Sequence, residues 1–550
     1  ISMIPGRRVV SGLASAEYYR KGWWREETLL DDFLAKALED PKRPALVSYV
    51  AGQGKPARHT YGELELLSRR CAAALIDLGV EKDEAVSVQL PNTWEFPALM
   101  YGIMRAGAIA NPLVPIFRSR EIEFILGRTK SRILVVPNVY RGFDYAAMAL
   151  KLRETVPTLE HVVVVGSDRV DSISFEEHFV TRRWEEDPNL SAELANRLPA
   201  SDDLAEIQFT SGTTGEPKGV LHSYNTVFSG AQAIDKLYGL DSDDVCFMAS
   251  TLAHQTGFCY GMLKPLSMGM KVVYQDVWDA SQMLDAVETE KIVWTLSATA
   301  FAMDMVAAQR RRSRDLVSFK FFICGGAAIP PKVVEEAREF LGAELIALWG
   351  MTENMVVTST RPGDSVELVS NSDGTPVEWM EIRLMSDDGE VDTVGQAGNL
   401  QTRGASQALG YFHREDLYAA ATPEKDWFDT GDIARLRSDG GIRIVGRTKD
   451  IVIRGGENIP VAEIESLILR HPAVDEVAII GLPDERLGER ACAVVSSSSA
   501  SLTLSQISEF LEDLGTAKQF WPEELVLMTE MPRTPSGKIQ KFRLREELGA

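Results

Sequence analysis

The segment Thr210-Ser211-Gly212-Thr213-Thr214-Gly215-Glu216-Pro217-Lys218-Gly219 is the most informative stretch of this sequence. It follows Ile207-Gln208-Phe209, which predicts a strand that ends where the loop begins. Glycine lets backbone N–H groups approach a phosphate closely, and the hydroxyls and the Lys218 ammonium supply further donors to the same anion. The spacing differs from the Walker loop, because Pro217 stands five positions after Gly212, and G-x-G-x-x-G does not occur in this segment. The sequence therefore predicts a phosphate-binding loop of another kind.

The rest of the chain alternates short β-branched runs with longer amphipathic segments. Runs such as 85–90, 133–136 and 161–165 predict strands between helices, which is the pattern of an α/β fold. Shorter segments broken by turns occupy 404–446, and Ser438-Asp439-Gly440-Gly441 is typical of a tight hairpin. After that, strand-like 450–453, helix-like 461–470 and strand-like 474–480 indicate a small α+β unit. We predict an α/β N-terminal domain, residues 1–448, and a C-terminal α+β domain, residues 449–550.

The composition excludes several classes of protein. Of the 550 residues, 45% are hydrophobic, and 58 Lys and Arg against 80 Asp and Glu give a net charge of −22. This acidic balance argues against a nucleic-acid-binding surface. The five cysteines are scattered and fit neither a disulfide framework nor a zinc site, so a reducing cytoplasm is expected. No signal peptide is expected, and the oligomeric state is left open.

Two local features bear on membrane contact. The apolar stretch from Phe96 to Phe117 contains Arg105, three prolines and two glycines, so a buried helix and strand is favoured over a membrane span. A basic cluster consists of Arg310, Arg311, Arg312 and Arg314. It favours a solvated helix end, and contact with a membrane surface or an anionic partner is the alternative. We therefore expect no integral membrane segment.

The phosphate-binding loop resembles the signature loop of the adenylate-forming superfamily, which includes acyl-CoA synthetases, nonribosomal-peptide adenylation domains and luciferases. Further strings that resemble this superfamily follow in its order: Cys324-Gly325-Gly326-Ala327-Ala328, Trp349-Gly350-Met351-Thr352-Glu353, Trp427-Phe428-Asp429-Thr430-Gly431-Asp432, Gly446-Arg447-Thr448-Lys449-Asp450, Arg454-Gly455-Gly456-Glu457-Asn458 and Pro535-Ser536-Gly537-Lys538. With Thr60-Tyr61-Gly62-Glu63-Leu64 they span most of the chain. The resemblance implies a large N-terminal domain of stacked α/β subdomains and a small, mobile α+β C-terminal domain.

The resemblance also implies an ATP site. Glu353 resembles the carboxylate that holds Mg²⁺, and Thr352 the hydroxyl that binds the α-phosphate, because a hard cation needs oxygen ligands. Asp432 resembles the aspartate that accepts hydrogen bonds from the ribose hydroxyls, with Arg447 beside it. Trp349 stands where the family usually has tyrosine, and its indole would cover the adenine face. The other ATP-binding residues that the resemblance implies are Thr210, Ser211, Gly212, Thr213, Thr214, Gly215, Lys218, Gly326, Ala327, Ala328, Gly350 and Met351.

Two lysines of the C-terminal region resemble residues that separate the half-reactions. Lys538 resembles the lysine that enters the active site during adenylation, where an ammonium about 4 Å from the developing charge contributes roughly 4 kcal/mol at an effective dielectric near 20. Lys449 resembles the hinge about which the small domain turns, and a plain interdomain linker is the alternative. The resemblance implies that this rotation of the small domain brings a second loop to the acyl-adenylate. In that loop Gly455, Gly456 and Glu457 are predicted to contact coenzyme A.

His254 resembles the family's gate between the ATP and acid pockets, and a packed core histidine is the alternative. It need not act as a base, because a carboxylate is already ionised at neutral pH. Apolar residues that are predicted to line the acyl pocket, or else to belong to the core, are Phe258, Cys259, Met262, Ile323 and Met355. Between Leu252 and Leu263 there is no Arg, Lys or Asp, so we expect a monocarboxylate with an apolar body.

Together these resemblances imply an ATP-dependent acid:CoA ligase that forms an acyl-adenylate and then an acyl-CoA. ATP, Mg²⁺ and coenzyme A are the expected cofactors. The strings at 324–328 and 349–354 look closest to short- and medium-chain fatty acid or cyclohexanecarboxylate ligases, which implies a medium-chain or alicyclic acid.

Proteins of this fold can have other functions. A carrier protein as acceptor is disfavoured because 247–258 lacks an Asp for a substrate ammonium and no carrier domain follows Lys538. A luciferase-like monooxygenase shares the adenylation step and stays open. An adenylate-binding regulator is disfavoured because Lys538, Glu353 and Asp432 are all present.

Overall fold

The computed structural model describes residues 12–549, except for 168, 211–216, 326–328, 425, 449, 451, 455–456, 460, 485–487, 498–501, 515, 517 and 534–537. The α-helices of this part of the chain are Gly12–Arg20, Leu29–Glu39, Tyr61–Asp77, Glu95–Arg105, Ser119–Thr129, Tyr145–Thr155, Pro188–Arg197, Tyr224–Ala231, Ala233–Lys236, Lys264–Met268, Ala280–Glu290, Thr299–Arg311, Pro331–Glu336, Val366–Asn371, Glu415–Ala421, Val461–Ile468, Leu504–Asp513 and Lys541–Leu548. Shorter 3₁₀ or wider π-type turns are Glu176–Thr181, Trp184–Glu186, Thr256–Leu263, Ala337–Leu341 and Lys518–Phe520.

Within these residues the largest sheet has nine strands. In spatial order they are Thr375–Pro376, Met355–Ser359, Glu344–Met351, Phe321–Cys324, Ile292–Ser297, Val245–Met248, Lys271–Gln275, Pro44–Tyr49 and Ala57–Thr60. The six strands from Glu344–Met351 to Pro44–Tyr49 are parallel. The central strands Val245–Met248 and Ile292–Ser297 are buried along their whole length, as expected for a parallel sheet that is covered on both faces.

A second sheet contains the strands on either side of the predicted phosphate-binding loop. Its eight strands in the described part of the chain are, in spatial order, Gly410–Tyr411, Lys218–Ser223, Leu204–Thr210, Ile109–Pro112, Ala85–Val88, Ile133–Pro137, His161–Val165 and Ile173–Ser174. The six from Leu204–Thr210 onward are parallel, whereas Lys218–Ser223 turns back as an antiparallel partner of Leu204–Thr210. The strands predicted at 85–90, 133–136 and 161–165 are confirmed.

Two further sheets follow. Gly389–Glu390, Met380–Ser386, Ala397–Gly404, Phe428–Leu436 and Ile442–Arg447 form an antiparallel sheet, and the hairpin predicted at 438–441 joins the last two. The last sheet consists of Glu457–Ile459, Val452–Arg454, Gly488–Ser496, Glu476–Asp484 and Glu524–Met528. A two-stranded ribbon, Val139–Tyr140 with Phe143–Asp144, completes the strands of the described residues.

The C-terminal region has an α+β architecture, as predicted. Strand Val452–Arg454, helix Val461–Ile468 and strand Glu476–Asp484 overlap the predicted elements at 450–453, 461–470 and 474–480. Val452, Ile464, Ile479 and Val495 belong to a hydrophobic cluster made of C-terminal residues. The division at residue 449 stays a prediction, since Lys449 lies outside the described residues.

Most of the apolar stretch from Phe96 to Phe117 lies inside the fold. Helix Glu95–Arg105 and strand Ile109–Pro112 are buried, which confirms the helix and strand expected in this region. None of the helices in the described ranges is both long and apolar enough to cross a membrane. All five cysteines are buried free thiols.

The expectation of a solvated basic cluster is wrong for Arg314. This residue is buried, and its guanidinium donates to Asp285 and to the carbonyls of Ala308 and Arg312, which compensates for the loss of water. Arg310 pairs with Glu336 at 2.8 Å, so part of the cluster's charge is offset within the fold.

Candidate active site

The phosphate-binding loop connects the two antiparallel strands Leu204–Thr210 and Lys218–Ser223. Thr210 and Lys218 lie opposite each other in the register of this pair, so the ends of the loop are brought together. The Lys218 ammonium lies over the ring of Tyr411, 4.8 Å from its centroid. The loop residues Ser211, Gly212, Thr213, Thr214 and Gly215 lie outside the described residues.

Thr352 and Glu353 occupy the turn between strands Glu344–Met351 and Met355–Ser359. Both residues are buried. Trp349, Gly350 and Met351 form the end of the first strand. A Cβ at Gly350 would lie 2.1 Å from the carbonyl oxygen of Met355, so only glycine fits there.

Several hydrogen bonds hold this turn. The Tyr411 hydroxyl donates to Glu353 Oε1 at 2.7 Å, and the Ala408 N–H donates to the Glu353 carbonyl at 2.6 Å. His222 Nε2 lies 2.7 Å from the Thr352 carbonyl, which can only accept, so Nε2 carries the proton. Burial lowers the pKa of His222 to about 4, which keeps the ring neutral near pH 7. The buried turn is therefore fixed at both its main chain and its carboxylate.

Asp432 is joined to two of the other predicted nucleotide-binding residues. The indole N–H of Trp349 donates to Asp432 Oδ2 at 2.9 Å, and Arg447 Nε lies 2.9 Å from Oδ1. Asp432 and Arg447 are opposite each other on neighbouring strands, and the Asp432 side chain is only 7% exposed. The tryptophan that replaces the usual tyrosine thus makes a hydrogen bond of its own.

Lys538 lies within electrostatic range of this group. Its ammonium interacts with the charges of Arg447, Asp432 and Glu353, and it also affects His254. Burial, and then the positive charge of Arg447, lower the pKa of Lys538 to about 8. The structure thus brings Lys538 from the C-terminal region to Glu353 and Asp432 of the N-terminal region, whereas residues 534–537 before it lie outside the described part.

His254 and the predicted pocket residues lie on neighbouring elements. Burial, and then the nearby charge of Lys538, lower the pKa of His254 to about 4. Phe258, Cys259 and Met262 are buried on the turn Thr256–Leu263, and Ile323 is buried on the strand Phe321–Cys324. Their burial is compatible with both the pocket and the core interpretation.

A buried polar pair beside these residues had not been predicted. Glu206, on the strand that leads to the phosphate-binding loop, is fully buried, and Gln255 is 4% exposed. Glu206 interacts electrostatically with Cys259 and accepts a hydrogen bond from Gln208 Nε2 at 3.1 Å, while the Gln255 amide donates to Met355 Sδ at 2.9 Å. Burial raises the pKa of Glu206 to about 7. The available sequence signal was the charged Glu206 within the buried strand Leu204–Thr210.

His222 and Tyr411 were also missed, because neither belongs to a string that suggested nucleotide binding. A histidine inside the apolar strand Lys218–Ser223 was the available signal for His222. Several predicted site residues lie outside the described residues: Gly326, Ala327, Ala328, Lys449, Gly455 and Gly456. Glu457 begins the short strand Glu457–Ile459.

The donor set around Glu353 fits magnesium bound to a nucleotide. Mg²⁺ is usually held by one or two carboxylates together with substrate phosphates. The buried Glu353 carboxylate provides an oxygen ligand of this type, and the neighbouring Thr352 hydroxyl can donate to a phosphate. Among the described residues no group of three or more His, Cys, Asp or Glu gathers as a metal site, so a protein-only metal centre is not indicated there.

Comparison with known proteins identifies the family. Residues 33–412 match the AMP-binding enzyme family and residues 463–538 match the AMP-binding enzyme C-terminal domain. The chain therefore belongs to the AMP-binding enzymes: it is an adenylate-forming enzyme of the acyl-CoA synthetase branch, an AMP-forming acid–thiol ligase.

Individual relatives agree over nearly the full length. A medium-chain fatty-acid–CoA ligase of Escherichia coli is 30% identical over 97% of this chain and 92% of its own. A salicyl-AMP ligase / salicyl-S-ArCP synthetase of Mycobacterium tuberculosis is 31% identical over 97% and 93%. The crystal structure of an anthranilate CoA ligase in complex with anthranoyl-AMP superposes with a TM-score of 0.85 and 26% identity, covering 95% of this chain and 97% of that one.

Proposed function

We propose that this chain is an ATP-dependent carboxylic acid:CoA ligase. It forms an acyl-adenylate with release of pyrophosphate and then transfers the acyl group to coenzyme A with release of AMP. The observation that carries the proposal is the convergence of Lys538 with Glu353, Asp432 and Arg447, next to the strand pair that bears the phosphate-binding loop. The family assignment supports the same chemistry.

In the proposed adenylation step the carboxylate oxygen of the acid attacks the α-phosphorus of ATP, and pyrophosphate leaves. The Lys538 ammonium stabilises charge on the phosphate oxygens. Glu353 would hold Mg²⁺, which would offset phosphate charge, and Thr352 would bind the α-phosphate. Trp349 covers the adenine, while Asp432 and Arg447 contact the ribose. His254 separates the two substrates as a neutral ring, since its pKa near 4 leaves it uncharged and the acid needs no base.

In the proposed transfer step the small domain turns about Lys449. Gly455, Gly456 and Glu457 then lie beside the acyl-adenylate and line the path of the CoA thiol. The CoA thiol loses its proton to solvent and its sulfur attacks the acyl carbon, while AMP leaves with the electron pair of the broken carbon–oxygen bond. Separate faces of the C-terminal domain thus serve the two steps.

The proposed acid is a monocarboxylate with an apolar body, of medium-chain or alicyclic type. Phe258, Cys259, Met262 and Ile323 supply apolar surface, and each buried CH₂ contributes about 0.8 kcal/mol. The buried Glu206 carboxyl near Cys259 also disfavours a second carboxylate on the substrate, because two close carboxylates cannot both ionise at low cost. The relatives act on fatty acids and on aromatic acids, so ring acids belong in any test.

The test is a pyrophosphate-release screen with aliphatic, alicyclic and aromatic acids, run with and without CoA, in which acyl-CoA is detected by mass. We expect pyrophosphate with apolar monocarboxylates and a stoichiometric thioester when CoA is added. Pyrophosphate release without any thioester would redirect the proposal to a carrier-protein acceptor. Oxygen-dependent light emission would indicate the luciferase-like alternative.

A further inference from the structure

Tyr411 contacts two residues of the proposed nucleotide site at once. Its hydroxyl donates to Glu353 Oε1 at 2.7 Å, and its ring face lies 4.8 Å from the Lys218 ammonium. We propose that Tyr411 is a positioning residue that orients the Glu353 carboxylate toward nucleotide-bound Mg²⁺ and holds the Lys218 ammonium at the phosphate-binding loop. This inference rests on the proposed function, because it takes Glu353 as the magnesium ligand.

The position of Tyr411 is fixed by the sheet. The strand Gly410–Tyr411 pairs with Lys218–Ser223, and Val220 lies opposite Tyr411. The N–H of Phe412 donates to the Gly219 carbonyl at 2.7 Å, so the backbone beside Tyr411 is tied to the residue that follows Lys218. Tyr411 therefore moves with the end of the phosphate-binding loop.

The ring itself is held by packing. Tyr411 is 3% exposed, and its ring meets that of Tyr418 edge to face at 5.5 Å between centroids. The Tyr418 hydroxyl donates to the Ala408 carbonyl at 2.7 Å. Since the Ala408 N–H donates to the Glu353 carbonyl, the segment 408–412 is bonded to both the loop strand and the Glu353 turn.

The chemistry of the phenol suits this role. A phenol hydroxyl is a protonated hydrogen-bond donor at neutral pH, and at 2.7 Å from Glu353 Oε1 it can donate only to that carboxylate oxygen. A donor on Oε1 restrains the rotation of the carboxylate, and Oε2 keeps its lone pairs for a metal ion. Hydrogen-bond partners of this kind orient metal-binding carboxylates, and their loss usually weakens metal affinity by about 10- to 100-fold. The ring face provides a separate, cation–π interaction with Lys218.

Two substitutions separate these contributions. Tyr411→Phe removes the hydroxyl and keeps the ring face, whereas Tyr411→Leu removes both. The matched control is Tyr418→Phe, which removes the neighbouring hydroxyl that bonds to the main chain of Ala408 and to the Gln407 amide.

The measurement is binding of Mn²⁺, followed by electron paramagnetic resonance, in the presence of α,β-methylene-ATP. We expect Tyr411→Phe to raise the Mn²⁺ dissociation constant by about 10- to 100-fold, with metal-free nucleotide affinity within about twofold of the original protein. Tyr411→Leu should in addition weaken metal-free nucleotide binding by about two- to fivefold. Tyr418→Phe should leave both constants unchanged.

A double-mutant cycle with Glu353→Gln tests whether Tyr411 acts through Glu353. In the Glu353→Gln background, Tyr411→Phe should no longer change Mn²⁺ affinity. The inference is overturned if Tyr411→Phe leaves Mn²⁺ affinity intact, or if its effect persists in that background. If Glu353→Gln alone leaves Mn²⁺ affinity unchanged, the proposed magnesium role of Glu353 fails, and this inference fails with it. The proposed function fails separately, if the original protein does not form acyl-CoA. If acyl-CoA is still formed in either Tyr411→Phe outcome above, only the inference about Tyr411 is overturned.

Discussion

The Lys538 ammonium lies within electrostatic range of Glu353, Asp432 and His254. In the proposed mechanism this arrangement serves adenylation only, because CoA transfer uses another face of the C-terminal domain. We expect Lys538→Ala to slow adenylation by about three powers of ten, which corresponds to roughly 4 kcal/mol. Thioester formation from a synthetic acyl-adenylate should be largely spared. Equal loss of both half-reactions, measured separately, would contradict the assignment.

The pKa of Lys538 leads to a pH dependence. Burial and Arg447 lower this pKa to about 8, so the ammonium is present below pH 8 and is lost as the pH rises through that value. We expect kcat/KM for ATP in pyrophosphate exchange to fall about tenfold per pH unit above 8, because this quantity reports the free enzyme. Lys538→Arg, whose guanidinium stays charged, should lack this fall. A fall that persists in the arginine variant must come from another group.

Trp349 gives a prediction about nucleotide affinity. Phenylalanine can still stack on adenine but cannot donate to Asp432, and a hydrogen bond to a charged group is worth about 1.5–3 kcal/mol. We expect Trp349→Phe to weaken ATP binding by about 10- to 100-fold in equilibrium titrations. Trp379→Phe is the matched control, because this buried indole has no hydrogen-bond acceptor for its N–H in the described part of the chain. Equal effects of both variants would assign the loss to packing.

The connection between the last strand of the third sheet, Ile442–Arg447, and the C-terminal strand Val452–Arg454 is short. We propose Lys449, within it, as the hinge. Lys449→Pro fixes φ near −65° and should restrict rotation there. Pyrophosphate release in a single turnover should remain, while CoA transfer should slow. Unimpaired transfer in rapid-quench measurements would place the hinge at another residue.

The turn between Glu344–Met351 and Met355–Ser359 shows how strand ends build the site. Met355 has φ of 60°, a conformation that non-glycine residues seldom adopt. Its carbonyl lies against Gly350, and its side chain lies so close to Gly230 that a Cβ there would be 2.5 Å from it. The tight reversal keeps Thr352 and Glu353 buried next to the edge strand that carries Tyr411.

The proposed acid pocket combines the turn Thr256–Leu263 with the strand Phe321–Cys324, so its size depends on how these elements pack in the folded molecule. For a homologous series from acetate to dodecanoate, we expect kcat/KM to rise a few-fold per carbon, at about 0.8 kcal/mol per CH₂, until the pocket is full. Longer acids should then lose efficiency through overpacking. Cyclohexanecarboxylate and benzoate should be measured beside the series. A preference for acetate, an amino acid or a dicarboxylate would contradict an apolar pocket.

The fold class, the family and the order of its motifs followed from the sequence. A glycine-rich and hydroxyl-rich segment such as 210–219 can be recognised in the sequence, because the approach of backbone N–H groups to a phosphate depends on the types of neighbouring residues at fixed spacing. The periodicity of hydrophobic residues in strands and helices also depends only on neighbouring positions. It correctly predicted the elements at 85–90, 133–136 and 461–470.

The contacts of Tyr411 with Glu353, of His222 with Thr352 and of Trp349 with Asp432 join residues that are 58, 130 and 83 positions apart. No spacing along the chain encodes such pairs, because they depend on which strand ends meet when the sheets pack. Burial also depends on packing. It lowers the pKa of Lys538 to about 8 and raises that of Glu206 to about 7, and it makes Arg314 an internal residue rather than a solvated one. The sequence by itself therefore determined which groups are present and in what order, whereas the tertiary structure decided which of them touch and how strongly desolvation changes their charge.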